Sequence, residues 1–268
     1  MSTALPIFQV DAFTRRRFGG NPAAVVLLGE TRLPAEVLQQ IAAENNLSET
    51  AFVSGRGEMR AGRATFGLRW FTPACEVDLC GHATLAAAHV LFSRGLVAGA
   101  EVAFSTQSGV LGVARDGERY RLDFPARPPE PAAVTPDVEA ALGTRPRELW
   151  RSRDMLAVLD AADEVKALRP DLRAVARLDT FAVIVTAPGV DCDFVSRFFA
   201  PRAGVDEDPV TGSAHCTLVP YWSTRLGRTE LYARQLSARG GELWCRLAGD
   251  RVQIAGNAVD YLEGHIFL

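Results

Sequence analysis

The sequence predicts an α+β protein of two pseudo-symmetric domains, and three observations carry that prediction. Runs of β-branched and aromatic residues, broken by Gly, Pro and Asn turn signals, recur through both halves of the chain. One of the few helical segments, from His82 to about Ser93, is apolar nearly all round, as befits a buried helix wrapped by strands. The third observation is an internal echo. WFTPACEVDLCGHATLAAA, beginning at Trp70, and FFAPRAGVDEDPVTGSAHCTL, beginning at Phe198, each pass from an aromatic-Phe-x-Pro strand end through an acidic loop into a G-x-A turn that opens an apolar helix. An offset of about half the chain implies two related halves facing each other rather than a short-period solenoid. Each half would bring a glycine-led helix start toward a shared interdomain cleft. Unpaired N–H groups and the positive end of the helix dipole there suit a small carboxylate.

In chain order, IFQV, AAVVLL, TAFVS, ATFGLRWF, EVAFST, GVLGVAR and YRLDF read as strands of the first half. A helix beginning at Pro34 carries Val37, Leu38 and Ile41 on one face and belongs on the outside of a sheet. The proline-rich run PARPPEPAAVTP, residues 125–136, has no apolar periodicity and reads as the domain linker. It separates a first domain at 1–124 from a second at 137–258. FAVIVTA, LYARQLS, LWCRLA and RVQIAG are strands of the second domain, with a helix from Ser213 that Pro220 should kink or break. The last strand, 259–268, is expected to return to the first domain.

The 268 residues carry a formal net charge of −3, which argues against nucleic acid or an anionic membrane as partner. Five cysteines without a CxxC pair read as reduced thiols of a cytoplasmic protein. The N-terminus lacks a signal-peptide pattern, and no segment is long and apolar enough to span a membrane. Lys166, in a charged helical stretch, is the only lysine, so a pyridoxal Schiff base or a lysine nucleophile is disfavoured. Neither GxGxxG after a strand nor GxxxxGK[ST] occurs, and no cofactor is expected.

Candidate chemistry lies around the two turns. His82 follows Gly81 directly and Ser213 follows Gly212, so the turns exchange their polar residues; each residue could cap its helix or face a ligand. Asp208, in the acidic cluster Asp206-Glu207-Asp208, could take a positive ligand group or hold His82 in one tautomer. Glu49 closes ENNLSE and opens an apolar strand, a sheet-edge position that partly desolvates a carboxyl and suits acid/base work. FGGNP, residues 18–22, is too short for a phosphate cradle and reads as a tight turn between strands; Asn21 within it is a substrate-binding candidate. Cys75, Cys80 and His82 come nearest to a metal set, but the entry of a loop into a buried helix accounts for them, and no metal is expected.

The ordered set FGGNPAAVV, ENNLSETAFV, WFTPACEVDLCGHATLAAAH and FFAPRAGVDEDPVTGSAHC resembles the phenazine-biosynthesis PhzF-like family over nearly the whole chain, EDPVTGSAH being its most specific part. The resemblance implies the diaminopimelate epimerase fold, with a mixed sheet wrapped around a central helix in each domain and the active site between the domains. It assigns the acid/base role to Glu49 and cleft roles to His82, Asp208, Gly81, Gly212 and Ser213. Racemases and epimerases of this fold use two cysteines. Here Cys80 occupies the first place, before Gly81, while the second turn offers Val210 and no thiol. The resemblance thus implies a cofactor-free isomerase that moves a proton with a single carboxyl on a small cyclic or unsaturated amino or hydroxy carboxylate. An epimerase using another base and a non-catalytic carboxylate-binding protein are the alternatives, and a homodimer is the expected assembly.

Overall fold

The computed structural model describes residues 3–268, and the chain divides into two compact units. The first unit comprises residues up to Asp123 together with Ala255–Leu268. Its elements are β1 (Ala4–Ala12), β2 (Asn21–Gly29), α1 (Ala35–Asn45), β3 (Glu49–Arg60), β4 (Arg63–Phe71), the short β5 (Glu76–Val77), α2 (Gly81–Ser93), β6 (Glu101–Thr106), β7 (Gly109–Asp116) and β8 (Arg119–Pro125). The chain's final strand, β17 (Ala258–Phe267), pairs antiparallel with β1.

From β1 onward the pairings run antiparallel to β2, parallel to β3, antiparallel to β4, parallel to β6 and antiparallel to β7. Helix α1 buries Leu38, Ile41 and Ala42 against Leu5, Val26, Phe52 and Phe71, so it covers one face of this sheet. Helix α2 packs on β1, β2, β3 and β17, and nearly every residue from His82 to Phe92 is buried. A helix with no polar face has to be enclosed, and here the sheet encloses it. His89 is the polar exception in its last turns: Nε2 lies 3.0 Å from Asp260 of β17 and Nδ1 lies 3.1 Å from the Tyr120 hydroxyl, which ties the terminal strand to the helix.

The second unit spans Phe124–Ile254. It contains β9 (Glu130–Ala132), α3 (Pro136–Leu142), β10 (Glu148–Arg151), β11 (Met155–Val158), α4 (Ala162–Ala167), α5 (Leu172–Arg177), β12 (Val183–Pro188), β13 (Phe194–Phe199), a 3₁₀ turn (Pro201–Ala203), α6 (Gly212–Leu226), β14 (Glu230–Gln235), β15 (Gly241–Ala248) and β16 (Arg251–Gly256). From β10 onward the pairings run antiparallel to β11, parallel to β12, antiparallel to β13, parallel to β14 and antiparallel to β15. The succession matches that of the first unit, and α6 takes the chain position of α2. The echo seen in two short motifs therefore extends to the whole order of strand pairings.

Two elements depart from the sequence-based expectation. The run expected to be a bare linker supplies β9, which pairs with β10. Pro131 is compatible with this three-residue strand, because a residue without an N–H can sit where no ladder donor is required. Helix α6 also continues through Pro220 to Leu226 without a break. A proline cannot donate to the carbonyl four residues earlier. The Cys216 carbonyl accepts instead from the Arg127 N–H at 2.8 Å, so the acceptor freed by Pro220 is not left bare.

The core of α6 supports a pH prediction. His215 is fully buried; Nδ1 donates to the Thr211 carbonyl at 2.8 Å, and Nε2 has no hydrogen-bond partner. Burial lowers its pKa from the ordinary 6.5 to about 4, so the folded protein keeps the ring neutral where the unfolded chain would protonate it. The associated stability is present above pH 6.5 and drains away as the pH falls toward 4, at up to about 1.4 kcal/mol per pH unit. In His215→Asn, which retains a donor for the Thr211 carbonyl, denaturant unfolding should show a shallower loss between those pH values. An unchanged slope would refute the assignment.

Among the described residues, no helix is long and apolar enough to cross a membrane.

Candidate active site

In the first unit, parallel pairing of β2 with β3 sets Ala23 opposite Glu49. Asn21 opens β2 and Glu49 opens β3, so both side chains lie at the same end of the sheet. The turn before Asn21 is tightly determined. Gly20 has φ +63°, and a Cβ there would come within 2.1 Å of the Ala12 carbonyl oxygen, so only glycine fits. The buried Asp11 carboxylate accepts from the Phe18 N–H at 2.8 Å and holds the loop's other side.

His82, in the first turn of α2, completes the group. Its Nε2 lies 3.1 Å from Glu49 Oε2, with side chains only 6% and 17% exposed. Its Nδ1 lies 3.1 Å from Asn21 Nδ2 and 3.5 Å from Cys80 Sγ. With the amide nitrogen turned toward Nδ1, Asn21 donates and the ring proton sits on Nε2, facing Glu49. With the amide turned over, Oδ1 could accept from an imidazolium, so Asn21 can serve either form of the ring. Glu49 Oε2 is buried yet has no aligned hydrogen-bond donor. Its contact with His82 Nε2, at 3.1 Å, is a close charge contact rather than an aligned hydrogen bond.

The electrostatics follow from burial and these neighbours. Burial opposes a charged His82, but the neighbouring Cys80 and Glu49 outweigh it and raise the pKa well above the ordinary value. Cys80 is itself pushed up to about 11, first by burial and then by Glu49, so it is a thiol at neutral pH. With Cys80 a neutral thiol, the Glu49 carboxylate, 3.1 Å away, is the negative neighbour that remains to favour the His82 proton.

At the helix start, Cys80 occupies the N-cap position in extended conformation without a side-chain cap. The amides of Gly81, His82 and Ala83 begin α2 with no side-chain acceptor from that cap, which is the setting that binds anions.

The other candidates belong to the second unit. Thr211 is the N-cap of α6 and also makes no side-chain cap; its hydroxyl donates instead to Asp208 Oδ2. Gln235, a buried residue of β14, accepts from Thr211 N at 2.9 Å and donates to the Asp208 carbonyl at 2.8 Å. Asp208 thus shapes the entry to α6. Within the first unit, the ring nitrogens of His82 lie 3.1 Å from Asn21 Nδ2 and 3.1 Å from Glu49 Oε2. Ser213, one residue past Gly212, receives a long contact of 3.4 Å from Arg153 Nη2.

Arg153 and Gln235 are not evident from the sequence. Arg153 lies far from Ser213 along the chain and carries no local signal. Gln235 has one, as a polar residue at an inward position of an alternating strand. Cys80 is marked in the sequence only by its place in the turn, and nothing there foretells its approach to His82. The N-cap of α6, the place that Cys80 takes at α2, is held by Thr211, and the buried Val210 precedes it, so the second turn offers a hydroxyl and no thiol.

The fold agrees with the comparisons. The family model described as phenazine biosynthesis-like protein matches residues 10–264, and the chain belongs to this PhzF family. An uncharacterised isomerase of Pseudomonas aeruginosa is 54% identical over 265 residues, covering 98% of this chain and 99% of the relative. A PhzF-family crystal structure from Enterococcus faecalis superposes with a TM-score of 0.95 at 48% identity, covering 99% of this chain and 100% of that one. A hydroxyproline epimerase from Agrobacterium vitis, with a TM-score of 0.62 at 12% identity over 99% of this chain and 93% of that one, shares the fold. The architecture is thus that of the diaminopimelate epimerase and proline racemase group.

Proposed function

We propose that this chain is a cofactor-independent isomerase that moves a proton on a small cyclic or unsaturated amino or hydroxy carboxylate. The observation that carries the reading is Glu49: a buried carboxylate oxygen, free of any aligned donor, 3.1 Å from the ring nitrogen of His82. A base in that condition can take a proton from an activated C–H without first breaking a hydrogen bond. His82, its pKa raised beside the carboxylate, supplies a positive group facing the negative charge that develops as the C–H bond breaks. Asn21 fixes the ring. The uncapped start of α2 at Gly81 offers amides to a substrate carboxylate.

A single carboxyl returns the proton on the face from which it was taken. The absence of a thiol from the second turn, where Val210 and Thr211 precede Gly212, supports this route over a two-thiol racemisation. The name given to the Pseudomonas relative, an isomerase, supports the reaction class.

The test begins with a set of small cyclic and unsaturated carboxylates screened for thermal stabilisation of the chain. Binders are then incubated with it in heavy water and followed by proton NMR. The expected result is deuterium entry or double-bond shift without inversion at the reacting carbon. Inversion would mark an epimerase, and a stabilising carboxylate whose C–H bonds stay unexchanged would mark a binding protein; either overturns the reading.

A further inference from the structure

Glu49, Cys80 and His82 bring a carboxylate oxygen, a sulfur and a ring nitrogen within 4.8 Å of one another. This is not the set the sequence suggested. Cys75 is exposed and lies outside the trio, and Glu49 takes its place. We propose that the trio is a binding site for a thiophilic divalent metal ion of the zinc class, and that the ion inhibits the protein by occupying its acid/base carboxylate. The inhibitory half of the proposal rests on the function proposed above; the site itself does not.

Geometry comes first. Zinc bonds of about 2.3 Å to sulfur and about 2.0–2.1 Å to nitrogen or oxygen place tetrahedral ligands roughly 3.4–3.6 Å apart. Here Nε2 lies 3.1 Å from Glu49 Oε2 and 4.0 Å from Cys80 Sγ, so the two edges bracket the tetrahedral value. Side-chain rotations of a few tenths of an ångström would equalise them. A metal-bound histidine needs an acceptor for its other ring N–H. Asn21, 3.1 Å from Nδ1, supplies one once its amide presents Oδ1.

Charge comes second. On binding, the Cys80 S–H and His82 Nε2–H bonds break, both protons go to solvent, metal–sulfur and metal–nitrogen bonds form, and the ring keeps one proton on Nδ1 and is neutral. One thiolate, one carboxylate and one divalent cation then sum to zero, which suits side chains as enclosed as these. The thiolate selects zinc, cadmium or cobalt(II) over magnesium and calcium, which prefer oxygen ligands. Three protein ligands leave a fourth position for water. The ion spends the lone pairs of Glu49 that proton abstraction requires.

The probe is cobalt(II), titrated anaerobically into the reduced, chelator-treated full chain. The expected spectrum at one equivalent combines tetrahedral visible bands with a near-ultraviolet thiolate-to-cobalt band, both abolished by zinc and unaffected by magnesium. Cys80→Ser should remove the near-ultraviolet band, Glu49→Gln should weaken binding by more than about tenfold, and Cys75→Ser should leave both unchanged. A cobalt spectrum indifferent to Cys80→Ser and Glu49→Gln, or no tetrahedral spectrum at all, would overturn the site. These readouts need no substrate, so they stand or fall apart from the isomerase reading. In the heavy-water assay, zinc at saturation should stop exchange; full exchange by the zinc-loaded chain would overturn the inhibitory claim.

Discussion

Replacing Glu49 with Gln is expected to lower hydrogen exchange on a bound substrate by about 10²–10⁴-fold, the usual contribution of a positioned acid/base. The change keeps the shape of the side chain and its place at the start of β3, and it removes only the capacity to take a proton. The variant should therefore still fold cooperatively and should still be stabilised by the same carboxylates. A second readout is His82. With the carboxylate gone, burial is left with less opposition and the ring pKa should fall from its raised value, which NMR titration of the imidazole resolves. Full exchange activity in Glu49→Gln would remove the residue from the mechanism. An unmoved His82 pKa would mean that the 3.1 Å approach carries no charge coupling.

Glu207→Ala is expected to cost about 3 kcal/mol of stability, near the lower end of the range for breaking a buried pair. Arg197, in β13, has a side chain only 8% exposed, and Glu207 binds it bidentately at 2.7 and 2.9 Å. The remaining guanidinium nitrogen donates to the carbonyls of Val165 and Leu168 around the end of α4. Deleting the carboxylate leaves a buried cation with only neutral acceptors, and it frees the loop that leads to Asp208 and Gly212. Urea unfolding of the two chains measures the loss; a difference under about 1 kcal/mol would show the pair to be a surface ion pair in energetic terms. The double replacement Arg197→Met with Glu207→Ala should recover part of the loss, because it removes the stranded charge along with its partner.

The acidic cluster Asp206-Glu207-Asp208 shows how far local reading reaches. A run of carboxylates before a glycine turn points to Asp208 as a ligand group. The fold gives Glu207 to Arg197 and gives Asp208 a hydrogen bond from Thr211. A loop acid looks the same in sequence whether it awaits a ligand or neutralises a buried arginine, because the burial of Arg197, near the end of β13 just before the loop, is decided by packing and not by the local sequence. Pro220 misleads for a related reason. Its cost to a helix is a free carbonyl, and the N–H that takes it belongs to Arg127, far away in the chain.

The strands and the two long buried or half-buried helices are legible because their signals are local: side-chain period, turn residues and an apolar run with no polar face. The short helices α4 and α5 show in the sequence only as one charged stretch, since six-residue helices carry too little periodicity to be told apart.

What the sequence determined by itself is the repeat and the type of chemistry each copy can hold. The order of residues within each turn sets Cys80, Gly81 and His82 at one helix start and Val210, Gly212 and Ser213 at the other, and no packing can alter that inventory. The tertiary structure alone decided which residues lie together. Asn21, Glu49 and His82 meet because β2 and β3 pair in parallel and start at the same end of the sheet, against which α2 packs. In the second unit, β12 begins at the buried Val183 where its counterpart β3 begins at Glu49, so the same succession of pairings carries a carboxylate in one copy and core in the other. Strand register sums weak contacts over many residues, and that sum, which no short window of sequence contains, brings Glu49 to the histidine.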